Sequence, residues 1–98
     1  MSGGWVYLMT NRRYGTLCVG VTSDLPGRVW QHREGVVEGF TRRYGLKLLM
    51  WAGYHDDIYS AIQREKNIKH WRRSWKVDLI EAQNPEWEDL YPQLASLL

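Results

Sequence analysis

"WVYLMTNRRYGTLCVGVTSDLPGRVWQH", residues 5–32, changes character twice, and the two changes set the architecture. Residues 5–10 and 17–22 are rich in β-branched and aromatic side chains, which suit a pleated, half-buried surface. The intervening "NRRYGT" supplies the Asn and Gly that tight turns need, so the two runs predict a β-hairpin. Side chains alternate along a strand, so Trp5, Tyr7 and Met9 share one face and Val6 and Leu8 the other. Both faces are largely apolar, which predicts a sheet covered at least partly on each side. After the second strand, Ser23 or Asp24 can cap a helix whose first turn tolerates Pro26, and Gly35 is a natural stop. The helix is expected over about residues 25–33.

Outward from this unit, "LKLLMWAGY" (46–54) reads as a buried third strand introduced by the turn at Tyr44-Gly45. A second helix begins near Asp56 or Asp57 and runs through "IYSAIQREKNIKHW" (58–71), and Ser74 opens a short third helix over "WKVDLIEA". Asn84 as cap and Pro85 as first helical residue predict a final helical segment around 86–97. The order ββαβααα is that of a small α+β domain, a short, three-stranded, mainly antiparallel sheet flanked by helices. A chain of 98 residues is expected to be one domain, 1–98, with its core at about 5–90.

No run of about 18 apolar residues and no cleavable leader stands out, so neither a membrane span nor a secretory signal is expected, and the default setting is cytoplasmic. The single Cys18 excludes an internal disulfide framework and a thiolate zinc clamp. The net charge of +2 conceals a polarity: all 13 Lys and Arg precede residue 77 against six acids, while five acids and no base follow. Such a basic body suits a polyanion, although an uneven solvated surface explains charge alone equally well.

Arg28 and His32, four apart, rise from one helix face with Cβ atoms about 6 Å apart. Arginine offers a rigid fork of donors to a phosphate, and histidine can take a proton near neutrality. The same pair on a helix in water is common and by itself weak. In the second helix, at about 100° per residue, Ala61, Ile62 and Ile68 fall in one arc with Ile58, and Glu65 sits in its middle. A carboxylate there must be paired, protonated or bound to a metal. An internal ion pair and a divalent-metal ligand stand about even. One carboxylate suits Mg²⁺, which keeps most of its waters and takes further oxygens from phosphate. Tyr7 reads first as core with its hydroxyl at the sheet edge; beside His32 it could instead orient or deprotonate a water.

Arg12 and Arg13 in the hairpin turn, Arg42 and Arg43 after Phe40-Thr41, and Lys66, Lys69, Arg72, Arg73 and Lys76 in the "KNIKHWRRSWK" stretch surround these candidates. Positive charge interleaved with Trp and Tyr suits phosphates and bases, although Trp71 and Trp75 read better as core.

These residues resemble the GIY-YIG nucleases, in particular their small single-domain bacterial subfamily. "WVY" (5–7) corresponds to the first motif and "CVG" (18–20) to the second, and "VTSDLPGRVWQHREG", "GFTRRYG" and "AIQREKNIKHW…LIEAQNPEW" follow in the order and spacing of that subfamily. The resemblance implies an endonuclease that hydrolyses DNA phosphodiesters with one divalent metal, Mg²⁺ or Mn²⁺. It assigns Tyr7 to activating the water, Arg28 to clamping the phosphate, His32 to the base or the partner of Tyr7, and Glu65 to the metal. Cys18, Thr22, Thr41 and Asn84 become supporting contacts, and Gly20 permits a close approach where the second strand ends.

Two departures stand out. Trp5 and Val6 replace the Gly and Ile of the first motif, a mild change because the tyrosine remains. Cys18 replaces the tyrosine of the second, and a thiol is a poor hydrogen-bonding substitute for a phenol. Activity is expected to be lowered or lost, so a catalytically impaired nucleic-acid-binding module is the alternative. The expected partner is nucleic acid, DNA ahead of RNA, with no membrane and a monomer as the default.

Overall fold

In the computed structural model, which describes residues 3–36 and 44–95, the elements follow the expected order. They are β1 (Gly4–Thr10), β2 (Leu17–Thr22), α1 (Leu25–Glu34), β3 (Leu48–His55), α2 (Ile58–Lys69), α3 (Arg73–Gln83) and α4 (Tyr91–Ala95). The three strands form an antiparallel sheet in the order β2-β1-β3, with Tyr7 opposite Gly20 on one side and Ala52 on the other. A bulge between Leu8 and Met9 shifts the β3 register, so that Met50 and Trp51 both enter the same core.

The alternation read from β1 divides the interior in two. Val6 and Leu8 pack with Ala61 and Ile68 of α2 and Ile80 of α3. Tyr7 and Met9 pack with Leu25 and Val29 of α1, against which Tyr91 and Leu94 of α4 also lie. The sheet is therefore covered on both faces, as its apolar strands require.

Local signals set the helix boundaries at the front of the chain. Asp24 caps α1 by accepting a hydrogen bond from the Gly27 amide, and Gly35 ends it at φ 71°, a conformation glycine adopts without strain. Asp57 caps α2 through the Ser60 amide. Toward the C-terminus two expectations are corrected. Arg73, not Ser74, opens α3, and its capping position, Arg72, makes no side-chain cap bond.

Asn84 does not start a helix. It closes α3, its side-chain amide donates to the carbonyls of Met50 (3.1 Å) and Glu88 (2.8 Å), and its Oδ1 accepts from the Glu88 amide (2.9 Å). The chain then makes a turn at Pro85-Glu86 and runs on without helix until Tyr91. The tertiary bonds of this asparagine outweigh its local capping preference.

The acidic C-terminal part folds back onto the body. Asp89 pairs with Arg33 at 2.6 Å and accepts from the Leu49 amide, while Glu81 accepts from the Trp87 indole and the Tyr14 hydroxyl. Asn84→Ala leaves three partner groups without their side-chain partner, so it is expected to destabilise the fold by about 2 to 3 kcal/mol. Urea unfolding followed by tryptophan fluorescence measures this.

Candidate active site

Tyr7 stands on the central strand, on the face that α1 covers. Its partner across the ladder is Gly20, and a Cβ built at Gly20 would lie 2.4 Å from the phenol oxygen. The missing side chain is what lets the ring lie across β2. The buried Leu25 and Val29 seat α1 on this face, and Arg28 and His32, one turn apart, then both reach the same oxygen. Arg28 Nε donates to Tyr7 Oη at 3.3 Å, and His32 Nε2 lies 3.2 Å from it. The paired spacing expected for the helix is therefore realised around a single hydroxyl.

The electrostatics follow from burial. His32 is 5% exposed, and desolvation, then the neighbouring Arg28 charge, lower its pKa to about 4. The imidazole is neutral at physiological pH. Its Nδ1 is buried with no partner among the described residues. With its proton on Nδ1, the ring offers Nε2 as an acceptor for the phenol proton. Burial pushes the Tyr7 phenol above its ordinary value, while the hydrogen bond and charge of Arg28 pull the other way and Cys18 and Glu65 push it further up. In the resting site both members of the Tyr7–His32 pair are uncharged.

Arg28 also donates from Nη1 to Gln31 Oε1 at 3.2 Å. With Val21, Thr22, Asp24, Gly27 and Gln31 it lines a cleft of about 290 Å³ at the sheet edge. Gln31 is absent from the sequence-based candidates, although its i+3 spacing from Arg28 was a usable sign. Thr22 accepts from the Asp24 amide and so shapes the start of α1 at the cleft wall.

Glu65 lies on α2 between the fully buried Ala61 and Ile68 and is itself half-buried. It makes no ion pair or hydrogen bond with a described residue. Its charge acts on both Tyr7 and Cys18, as does that of Arg28. Glu65 and Arg28 thus act in opposite senses on the Tyr7 phenol, from helices on opposite faces of the sheet.

Cys18 is half-buried on β2, with burial raising its thiol pKa and Lys69 opposing the rise. Beside it is a second cleft, of about 270 Å³, lined by Leu17, Cys18, Val19, Lys69 and Lys76.

Asn84 stands apart from this group, since its side chain bonds only to the backbone of Met50 and Glu88. Thr41, Arg42 and Arg43 lie outside the described residues. Of the remaining basic residues, Arg12, Lys66 and Lys69 are exposed, and Arg72 stacks on Trp75. Arg73 donates to the Tyr14 and Gly15 carbonyls and Arg13 to that of Pro85, pinning the hairpin turn. Among the described residues no cluster of three or more His, Cys, Asp or Glu could by itself hold a metal, and no helix is long and apolar enough to cross a membrane.

The model of the GIY-YIG catalytic domain matches residues 3–78. A UPF0213 protein of Vibrio parahaemolyticus is 34% identical over 76 residues, covering 78% of this chain and 71% of the relative. A UPF0213 protein of Orgyia pseudotsugata multicapsid polyhedrosis virus is 34% identical over 84 residues, covering 81% and 78%. The solution structure of a UPF0213 protein from Bacillus halodurans shares the fold, with a TM-score of 0.55 at 24% identity over 89% of this chain and 92% of that one.

The neutral burial of His32 has a consequence for stability. Its folded-state pKa, about 4, lies below the ordinary 6.5, so on acidification the unfolded chain takes up the proton first. The contribution is complete above about pH 6.5 and is lost as the pH falls toward 4. Between pH 7 and pH 4 the protein is expected to lose up to about 3 kcal/mol more stability than His32→Gln. Urea titrations at a series of pH values check it; parallel pH profiles for the two proteins would contradict it.

Proposed function

Because the chain belongs to the GIY-YIG family, whose catalytic-domain model spans most of it, we propose that residues 1–98 form one catalytic domain, a cytoplasmic endonuclease that hydrolyses DNA phosphodiesters with a single divalent cation. The observation that carries this reading is the convergence of Arg28 Nε and His32 Nε2 on the Tyr7 hydroxyl at 3.3 and 3.2 Å. A phenol held between a cation and a neutral imidazole is a ready path for a proton. The cleft beside Arg28 gives a phosphate somewhere to bind.

The roles follow from the chemistry of each group. Arg28 has donors beyond those used on Tyr7 and Gln31, and these hold a non-bridging phosphate oxygen and offset the charge that grows in the transition state. Water attacks the phosphorus as its proton passes to Tyr7 Oη and the phenol proton passes to His32 Nε2. The transfers are concerted. A separated phenolate and imidazolium would charge a phenol whose pKa burial raises and an imidazole whose pKa burial lowers, so the concerted path avoids both charges. As the phosphodiester bond breaks, the leaving oxygen takes a proton from solvent, and the proton on His32 is released to solvent through Tyr7, which restores the neutral pair.

Glu65, half-buried without an ion-pair partner among the described residues, fits a hard cation that takes one protein oxygen and fills its shell with water and phosphate. Held by Glu65, Mg²⁺ or Mn²⁺ would supply charge neutralisation at the phosphate. A site of this kind needs only one carboxylate, so it does not require the three-residue metal cluster that is missing among the described residues.

A second reading, a nucleic-acid-binding module with impaired catalysis, is favoured by Cys18, whose neutral thiol stands where the family's second motif has a phenol. The two readings separate in one assay. Purified protein is incubated with labelled single-stranded, duplex and branched DNA in Mg²⁺, Mn²⁺ or EDTA. Tyr7→Phe and Arg28→Ala are expected to cleave about 10²- to 10³-fold more slowly than the parent. Glu65→Gln is expected to lose metal-dependent cleavage with its thermal melt unchanged. Cleavage equal in Glu65→Gln and parent would overturn the enzymatic reading. A rise in rate for Cys18→Tyr at constant DNA affinity identifies a weakened site, and no cleavage by any form despite tight binding supports the binding module.

A further inference from the structure

The corner where α2 passes to α3 carries aromatic and cationic side chains that the catalytic reading leaves unused. Trp75 is 50% exposed, although its sequence setting suggested core. It meets Trp71 edge-on at 6.0 Å, with the Arg72 guanidinium over the Trp75 ring and that of Arg64 over Trp71, each 5.1 Å from the centroid. Trp71 also packs on the core, which fixes the base of the group. The tryptophans line a shallow pocket of about 290 Å³ with Leu79 and Asp78.

Chain neighbours of the two tryptophans line the cleft that holds Cys18. Lys69 and Lys76 bracket the two tryptophans in the chain, are tied by a hydrogen bond from Lys76 Nζ to the Lys69 carbonyl at 3.4 Å, and line the cleft with Cys18. Cys18 in turn lies in the electrostatic reach of Glu65 and Arg28.

We propose that the α2–α3 corner is a second nucleotide subsite, in which Lys69 and Lys76 hold a phosphate neighbouring the scissile one and Trp75 stacks on an unpaired base. The proposal rests on the nucleic-acid reading above and adds a place for a base and a substrate form. Charge complementarity selects the occupant: two cations, Arg64 and Arg72, lie over the indoles, two more, Lys69 and Lys76, line the cleft with Cys18, and the Asp78 carboxylate in the tryptophan pocket directs the phosphate to the lysine cleft. An indole can stack only on a base whose face is free, so the subsite is specific for single-stranded or unpaired segments. A cation–aromatic surface of this kind also binds every base, so it carries no sequence preference.

The test is fluorescence anisotropy with the full chain, a labelled oligothymidylate and a blunt duplex of equal length, in EDTA so that binding is read without cleavage. Trp75→Ala is expected to weaken single-strand binding about tenfold and to leave duplex binding within about twofold. Trp75→Phe, which keeps a stacking face, restores most of the affinity. Lys69→Gln and Lys76→Gln weaken both ligands, each lowering the slope of log affinity against log salt by about one.

Unchanged single-strand affinity in Trp75→Ala, or an equal loss on the duplex, overturns the subsite while the nuclease reading stands. If the parent protein binds neither oligonucleotide at low salt, the nucleic-acid reading falls with it. Sedimentation showing a dimer that Trp75→Ala converts to monomer would assign the face to a second copy of the chain and overturn the proposal.

Discussion

The hydroxyl of Tyr7, held from one helix by two side chains, is the constraint on which the rest of the site depends. A phenol oxygen has one proton and two lone pairs. Accepting from Arg28 and facing His32 Nε2 leaves it little room for another arrangement. This geometry needs three conditions at once. The β1–β2 register must set Tyr7 opposite a residue without a side chain, the face must be apolar enough to seat α1, and α1 must begin at the right height. Gly20, the buried Leu25 and Val29, and the Asp24 cap meet them in turn.

Burial then decides the protonation states. Removing His32 from water and placing it beside a guanidinium makes it a weak base, and removing Tyr7 from water makes it a weak acid. A pair built this way carries no charge at neutral pH. The Glu65 charge, contributed from the helix layer on the other side of the sheet, belongs to the same balance because it acts on both Tyr7 and Cys18. A sheet of only three strands is narrow enough for side chains of both layers to influence one edge.

The positive residues divide by what they touch. Arg33 holds Asp89 and stacks on Tyr91, Arg73 holds the hairpin carbonyls, and Arg13 lies over Tyr14. These fasten the ends and the hairpin turn of the domain. Lys69, Lys76, Arg64 and Arg72 instead lie around Cys18 and the two tryptophans. The number of basic residues therefore overstates the basic surface that a polyanion would meet, and the aromatic neighbours indicate where that surface is concentrated.

The sequence by itself determined what depends on near neighbours. Alternation on β1 predicted the two-faced sheet, Asp24, Asp57 and Gly35 marked helix ends, the i+4 spacing aimed Arg28 and His32 together, and the apolar arc singled out Glu65. Tertiary structure alone decided what depends on distant partners. Asn84-Pro85 has the local form of a helix start, yet the asparagine amide bonds to Met50, 34 positions earlier. Arg73 sits in a basic run like its neighbours, yet its guanidinium is taken by carbonyls 58 and 59 positions away. Trp75 reads as core and stands half in water. Periodicity reports which side of an element is apolar, but a polar group's partner is whatever the folded chain brings within about 3 Å, and that distance is set by packing rather than by spacing.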